Sequence, residues 1–236
     1  MKKHHLQLNL SKTELLVIPA RPLIEHHLTI QLGCSTITPT KSARNLWVKF
    51  DDQLKFTSHI AATSRTCRYV PYNIRKIRPF LSEHASQLLV QALVISRLDY
   101  CNSLLAGLPT DAVKPLQMIQ NAAARIVFNQ PKRTHLTPLL ISLHWLPVAA
   151  RIKFKSLTLA FRTITANSPI YLNSVLQVYI PSCHLRSENE QRLVVPSQRG
   201  TKSLAKTFTY SVPLWWNELP ASIQTAASFT SFSKHT

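Results

Sequence analysis

Glycine is nearly missing from this chain, with three in 236 residues. A loop that cradles phosphate groups needs backbone that can approach a ligand without Cβ atoms in the way. Nucleotide loops of the GxxxxGK type are therefore excluded, and neither a nucleophile elbow nor an HExxH helix occurs. Cysteine is sparse too. Cys34, Cys67, Cys101 and Cys183 stand far apart, without the close pairs that chelate zinc or build a disulfide scaffold, and they read as reduced thiols. His4-His5 and His26-His27 are adjacent pairs, which on a strand point to opposite faces, so no metal site is expected from them. Long apolar runs are also lacking: none approaches the roughly 18 residues of a membrane span. Lys2 and Lys3 resemble the start of a signal peptide, but the residues after them alternate with polar ones and stop at Pro19. The expectation is an intracellular protein, nuclear or cytoplasmic, neither secreted nor bound to membrane.

Acid is the scarcest charge. Ten Asp and Glu stand against 28 Lys and Arg, a formal net charge of +18 at pH 7. Such a surface repels itself unless a polyanion neutralises it, which makes nucleic acid the first expected partner. Hydrophobic residues make up 45% of the chain, enough for a real core.

The prolines punctuate a chain that changes period near residue 51. Before it, Leu6, Leu8 and Leu10, then Leu28, Ile30 and Leu32, then Leu46, Val48 and Phe50 alternate as in strands, separated by Pro19, Pro22, Gly33 and Pro39. After it, Phe56, Ile60, Cys67, Val70, Ile74 and Ile77 trace a helical stripe, which Pro71 should kink or split in two. Ser82 predicts the cap of a helix burying Ala85, Leu88, Leu89, Ala92 and Leu93, with Gly107-Leu108-Pro109 as its stop. Asp111 opens another helix, with Val113, Leu116, Ala123 and Val127 on one side and Pro131 at its end. Thr137-Pro138 and Leu146-Pro147 begin two more, the second reaching about Ala166 with Phe154, Leu157, Phe161 and Ile164 as its core face. Ser168-Pro169 predicts a further helix packing through Leu172, Val175, Leu176 and Tyr179. From Pro181 to about Lys206 the pattern dissolves into an exposed loop carrying Arg186, Arg192, Arg199, Lys202 and Lys206, and order resumes at Pro213-Leu214-Trp215-Trp216. The fold class is thus mainly α with a small N-terminal β portion. Its divisions are 1–50, 51–108, 109–180 and a basic, Trp-rich 181–236.

Two rows of cations recur at helical spacing. Arg65, Arg68, Arg75 and Lys76 rise at steps of three or four with Tyr72 among them and Arg78 nearby, while Arg151, Lys155 and Arg162 line up farther along with Lys153 to one side. An ordinary solvated face mixes signs, yet no acid lies between Asp52 and Glu83, nor between Asp111 and Glu188. The balance favours contact with phosphates, largely independent of sequence. Trp47, Tyr69, Tyr72 and the Trp215-Trp216 pair are candidates for stacking on bases, although each taken singly reads more simply as core. Phe50-Asp51-Asp52 has the look of a metal-binding strand end, but a third carboxylate on a neighbouring strand is missing, so a helix-capping turn is the expectation.

Across nearly its whole length the chain resembles the stretch that follows the catalytic palm motif in LINE-type (non-LTR) retrotransposon reverse transcriptases. The words that carry the resemblance, in order, are NLSKTELLVI, ARNLWVKFDDQL, FTSHI, IRKIRPFLS, SRLDYCNSLLAGLP, LQMIQNAAARIV, LHWLPVAARIKFKSLTLAF, SPIYL, LRSENEQRLVVP and PLWWNELP. The resemblance implies that residues 9–18 are a last palm strand with Lys12 near the incoming nucleotide's phosphates. Residues 44–50 would be a primer-grip-like hairpin centred on Leu46, Trp47 and Val48, and the helices from Phe56 to about Leu105 a thumb. The remainder would be a helical C-terminal extension that binds element RNA or target DNA. The family usually has glycine in the hairpin where this chain has Trp47, and the strands with the catalytic aspartates precede the matching stretch.

The resemblance implies a piece of an RNA-directed DNA polymerase, not an enzyme by itself and without a cofactor of its own, since Mg²⁺ belongs to the complete polymerase. Its expected partners are RNA and DNA. Three alternatives stand beside that reading: a decayed translation product with no stable fold, part of an active polymerase whose catalytic half is supplied elsewhere, or a nuclease using Asp51, Asp52 and a histidine.

Overall fold

The computed structural model describes residues 9–18, 28–33, 35–165, 170–180, 191–197 and 207–235. The chain is mainly helical with a few short strands. It forms two compact units, residues 1–61 and 62–236. Among the described residues no helix is long and apolar enough to cross a membrane.

The first unit holds three two-stranded pairs. β1 (Leu15–Leu16) runs parallel to β4 (Pro39–Thr40), and β2 (Ile30–Leu32) pairs antiparallel with β3 (Ser35–Ile37). β5 (Ser42–Asn45) pairs with β6 (Val48–Asp51) in the register Ser42↔Asp51 to Asn45↔Val48. The expected strand over 46–50 is corrected at its start. Leu46 and Trp47 are the two residues of the hairpin turn, with φ of 44° and 69°. Positive φ at both central residues matches the right-handed twist of the flanking strands, and it normally selects Asn-Gly. Here a Leu and a Trp adopt it, 76% and 77% exposed, with the Arg44 guanidinium 4.1 Å from the Trp47 ring centroid. Leu10, expected in a strand, lies in a single 3₁₀ turn (Leu10–Lys12) because the Asn9 side chain accepts from the Ser11 N–H. Leu6 and Leu8 lie outside the described residues.

After β6 the chain turns into α1 (Thr57–Ile77), whose later part belongs to the second unit. Asp51 makes the joint: Oδ1 accepts from the Gln53 and Lys55 N–H groups at 3.2 and 2.8 Å, and Oδ2 accepts from Phe56 N–H at 2.6 Å. Phe50 meets Phe56 edge-on at 5.5 Å. Pro71 neither splits α1 in two nor ends it. The helix runs through, with the pyrrolidine buried on the same face as Cys67 and Ile74. Packing of that ring offsets the lost N–H donor. Ile77, expected in the apolar stripe, is exposed.

Ser82 caps α2 (Glu83–Val90) through the Ala85 N–H at 3.1 Å, as expected. The buried face is not the expected one. Ser86, Val90, Val94, Ile95 and Leu98 are buried, while Leu88 and Leu93 are exposed. Apolar residues surround this helix on every side, so periodicity alone does not choose a face. A π turn (Gln91–Ile95) also re-phases the chain before α3 (Ser96–Asp99). In α4 (Thr110–Val127) the four expected residues are buried, but the helix ends before Pro131, at an Asn129 with φ of 50°. α5 (Thr137–Ser142) and α6 (Val148–Ile164) begin at their prolines. Gln117 of α4 accepts from the Val148 N–H at 2.8 Å, and Gln120 donates to the Leu146 carbonyl at 2.8 Å, which seats the start of α6 on α4. Leu157 and Phe161 reach the core, whereas Phe154 and Ile164 are half-buried.

The helix predicted from Ser168-Pro169 is a single 3₁₀ turn, Ile170–Leu172, with its starting residues outside the described ones. Residues 177–179 are extended because 192–194 satisfy their backbone: Tyr179 N–H donates to the Arg192 carbonyl and Val194 N–H to Gln177, both at 2.8 Å. The segment expected as an open loop is therefore anchored at 191–197, while Arg186, Arg199, Lys202 and Lys206 lie outside the described residues. α7 (Phe208–Asn217) holds it. The Asn217 amide exchanges two 2.9 Å hydrogen bonds with the Leu193 backbone, and Trp216 Nε1 donates to Gln191 O. α8 (Ala221–Gln224) and α9 (Phe229–His235) follow. Trp216 and Phe232, both fully buried, stack with Phe161 of α6 in one aromatic column, ring centroids 4.5 Å (Phe161–Phe232) and 6.0 Å (Trp216–Phe232) apart.

Replacing Leu46→Asn together with Trp47→Gly supplies the residues this turn prefers. It should stabilise the hairpin by about 1–2 kcal/mol through relief of left-handed backbone strain. Amide exchange in β5 and β6 should slow accordingly; unchanged protection would show that the turn is unstrained.

Candidate nucleic-acid interface

α1 presents two opposite faces. Ser64, Cys67, Pro71 and Ile74 are buried, and the same rotation carries Arg65, Arg68, Tyr69, Tyr72, Arg75 and Lys76 to the exposed side. Burial pushes the Cys67 thiol pKa up, with Arg97 opposing. From Arg65 to Lys76 the ridge spans roughly 16 Å at 1.5 Å per residue, the axial length of about five phosphates on one strand of duplex DNA. Lys76 Nζ sits 4.7 Å from the Tyr72 ring centroid, so an aromatic face lies within the cationic row.

The ridge is not neutralised. Among the described residues the ion pairs are Arg151–Asp99 and Lys153–Glu218, and neither involves α1. Arg65, Arg68, Arg75 and Lys76 thus keep their charge facing outward, four of one sign within twelve residues.

The other expected contact residues have work inside the protein. Arg78 is half-buried and grips the C-terminus of α4: Nε donates to Ile126 O at 3.0 Å and Nη2 to Val127 O at 2.8 Å, while Nη1 donates to Leu81 O at 2.7 Å. A cation on the last carbonyls of a helix complements its dipole. Arg151 binds Asp99 with two donors, Nε to Oδ1 at 2.8 Å and Nη2 to Oδ2. Lys155 Nζ donates to the Asp99 carbonyl at 3.1 Å. Lys153 pairs with Glu218 at 2.9 Å, both largely exposed, an arrangement contributing at most about 1 kcal/mol. Arg162 lies over the Phe229 ring at 5.0 Å. The cations of α6 are therefore not a second ridge of the α1 kind.

In the first unit, Lys12 is exposed at the end of its 3₁₀ turn, Leu46 and Trp47 form the hairpin tip, and Val48 is buried behind it. Arg44, whose guanidinium covers Trp47, is not among the contact residues expected from the sequence. The strand alternation hides it, because the contact crosses the turn. Of the other aromatic candidates, Trp216 is core and Trp215 packs against that core with Lys153 Nζ 5.8 Å from its ring, leaving Tyr69 and Tyr72 exposed.

The carboxylates do not assemble a magnesium site among the described residues, where no group of three His, Cys, Asp or Glu converges. Both oxygens of Asp51 already accept backbone N–H groups, so a turn forms there, but it is not the expected helix cap, because the N–H groups it holds all precede the first residue of α1. Comparison with known proteins finds no matching family model, no matching curated protein and no matching solved structure.

Two classes of arginine make a measurable contrast. Arg78→Ala should lower stability by about 2–3 kcal/mol in urea unfolding, since it removes three charge-assisted hydrogen bonds to half-buried carbonyls. Arg65→Ala, Arg68→Ala and Arg75→Ala should each stay within roughly 0.5 kcal/mol. Equal losses at all four positions would contradict the division.

Proposed function

We propose that this chain is a piece of a LINE-type retrotransposon reverse transcriptase that holds the backbone of RNA or DNA without reading its bases and does not polymerise by itself. The observation that carries the binding reading is the outer face of α1: four cations and two tyrosines, exposed, with no ion pair to a carboxylate among the described residues. Like charges at three- and four-residue spacing raise the energy of the free protein, and a polyanion relieves that repulsion while releasing its condensed counterions. The reach of Arg and Lys side chains suits phosphates, which position a strand but carry no sequence information. Tyr69 and Tyr72 add faces on which any base can stack.

The family reading rests on the ordered words of the resemblance. In it, α1 with α2 and α3 corresponds to the thumb, β5 and β6 to the primer-grip hairpin, and α4 onward to the C-terminal extension. In that reading Trp47 at the hairpin tip, in place of the glycine usual in the family, changes the hairpin most, because a bulky ring there would hinder close approach of a primer terminus. The lack of polymerase activity is supported by Asp51, whose carboxylate is engaged by its own turn.

Anisotropy titrations of a labelled 20-nucleotide RNA and its DNA counterpart, repeated across a salt series, test the binding claim. Log affinity should fall linearly with log salt for both. The triple variant Arg68→Ala/Arg75→Ala/Lys76→Ala should flatten the slope by about 2–3, at roughly 0.7–0.9 for each phosphate no longer neutralised. An unchanged slope would remove α1 as the contact surface.

A further inference from the structure

Within the second unit, the end of α3 and the 3₁₀ turn after it (Asn102–Leu105) face α6 across a cleft of about 320 Å³. Asp99 and Asn102 line it from the α3 end, Phe154, Lys155 and Thr158 from α6, and Leu146 from the segment before α6. The cleft unites two of the longer words of the sequence, SRLDYCNSLLAGLP and LHWLPVAARIKFKSLTLAF, which the α1 ridge leaves without a role.

Its chemistry is divided. Phe154 and Leu146 give an apolar surface with an aromatic ring. Arg151, also at the cleft, is neutralised by Asp99, so the charge left over is that of Lys155, which is exposed and donates one of its three N–H groups to Asp99 O. Behind these, Asn102, 3% exposed, and the half-buried Thr158 each carry a buried side-chain oxygen, Oδ1 and Oγ1, with no hydrogen-bond partner among the described residues. Buried polar atoms are nearly always paired, so each one left over calls for an explanation. The backbone on both sides is strained as well: His144, at the cleft, has φ of 52°, and Cys101, next to Asn102, has φ of 50°. Strain of this kind persists where surrounding structure over-determines it, often at binding sites.

We propose that this cleft takes one unpaired nucleotide of the bound strand, its base against Phe154 and Leu146, its phosphate on Lys155, and the Thr158 side chain turning its hydroxyl out to the base edge. The proposal rests on the nucleic-acid reading above and adds a fixed base contact to the phosphate contacts and stacking faces of α1. The volume lies at the small end of ligand sites, roughly 300–1,000 Å³, which suits a single nucleotide and not a duplex. The Lys155 ammonium, the apolar surface of Phe154 and Leu146, and the Thr158 hydroxyl match the three parts of such a ligand.

Two 12-nucleotide strands separate the cleft from the ridge, one with ordinary bases and one with an abasic backbone of equal length. The wild-type chain should bind the base-bearing strand about tenfold or more tightly. Phe154→Leu, which keeps an apolar side chain without a ring, should narrow the gap between the two affinities to the part due to stacking on Tyr69 and Tyr72, while leaving the salt slope intact. Thr158→Val removes an unpartnered hydroxyl at nearly constant volume; thermal stability should hold or rise, yet preference for the base-bearing strand should shrink. A purely structural role for Thr158 would not move that preference. The α1 triple variant should weaken both strands alike and keep the preference.

Equal wild-type affinity for the two strands overturns the cleft and leaves the ridge standing. Loss of preference in Tyr69→Leu/Tyr72→Leu, with Phe154→Leu and Thr158→Val unaffected, also overturns it by assigning stacking to α1. Failure to bind either strand removes the function on which the proposal rests.

Discussion

The pair between Asp99 and Arg151 ties the end of α3 to α6 across 52 residues of sequence, and the rest of the helical unit is arranged around it. Both side chains are largely withdrawn from water, so each is there only because the other is. Removing one partner of such a pair leaves an uncompensated charge, a far larger loss than the net worth of the intact pair. Asp99 does more than one job, since its carbonyl also takes the Lys155 ammonium and its Oδ1 the Asn102 amide. One acid thereby organises two helices because acids are scarce. Asp51 serves three N–H groups of its own turn, Glu14 accepts from the Arg44 N–H, and Glu218 meets Lys153. Other cations find other electron-rich partners. Arg78 and Arg125 use backbone carbonyls, and Arg44 and Arg162 use aromatic rings. The row of cations that meets neither carboxylate nor carbonyl among the described residues is that of α1.

That sorting explains which parts of the site can be read from the sequence. The outer face of α1 is legible because every feature of it is local: spacing of three and four, no acid within the stretch, and apolar residues on the opposite side. The roles of Arg78, Arg151 and Lys153 are not, because their partners lie 48, 52 and 65 residues away. A charged side chain at helical spacing looks the same in sequence whether it meets solvent or a distant carbonyl. Helices behave likewise. α4 is legible because its apolar residues occupy one face, and α2 is not because Leu88, Leu89, Val90, Leu93 and Val94 surround it. The helix expected over 170–179 does not form because residues 192–194, far along the chain, supply its backbone with strand-like partners.

Scarcity of glycine leaves a second mark. Left-handed backbone is needed wherever a helix ends sharply or a hairpin closes, and glycine usually supplies it. Here Leu46, Trp47, Leu54, Phe56, Cys101, Asn129 and His144 adopt positive φ instead. Asn tolerates this conformation; Leu, Trp, Phe and Cys do so at a cost of about 1–2 kcal/mol each. Such joints hold only if neighbours fix them. His144 lies between the buried Leu143 and Trp145, and Phe56 is itself buried with its N–H held by Asp51. The joints are therefore set by packing and side-chain acceptors, which makes them rigid corners of the chain. The hairpin turn differs, since Leu46 and Trp47 are strained and yet exposed, with the Arg44 guanidinium over the Trp47 ring.

These two shortages act together on what the molecule is equipped to touch. A protein rich in glycine can wrap backbone N–H groups around a phosphate and read its geometry closely. This chain has too few glycines to build such a nest and an excess of long cationic side chains, so in the proposed function contact with an anion falls to flexible Arg and Lys on the outside of a helix. Contacts of that type tolerate variation in where the phosphates lie, respond steeply to salt, and carry no base preference of their own. In the proposed function, discrimination between nucleotides would have to come from somewhere more rigid, where polar atoms are fixed. The Asp99–Arg151 pair fixes such polar atoms beside α6, and the same scarcity of acid that leaves α1 positive makes that one carboxylate serve Arg151 and Asn102 together.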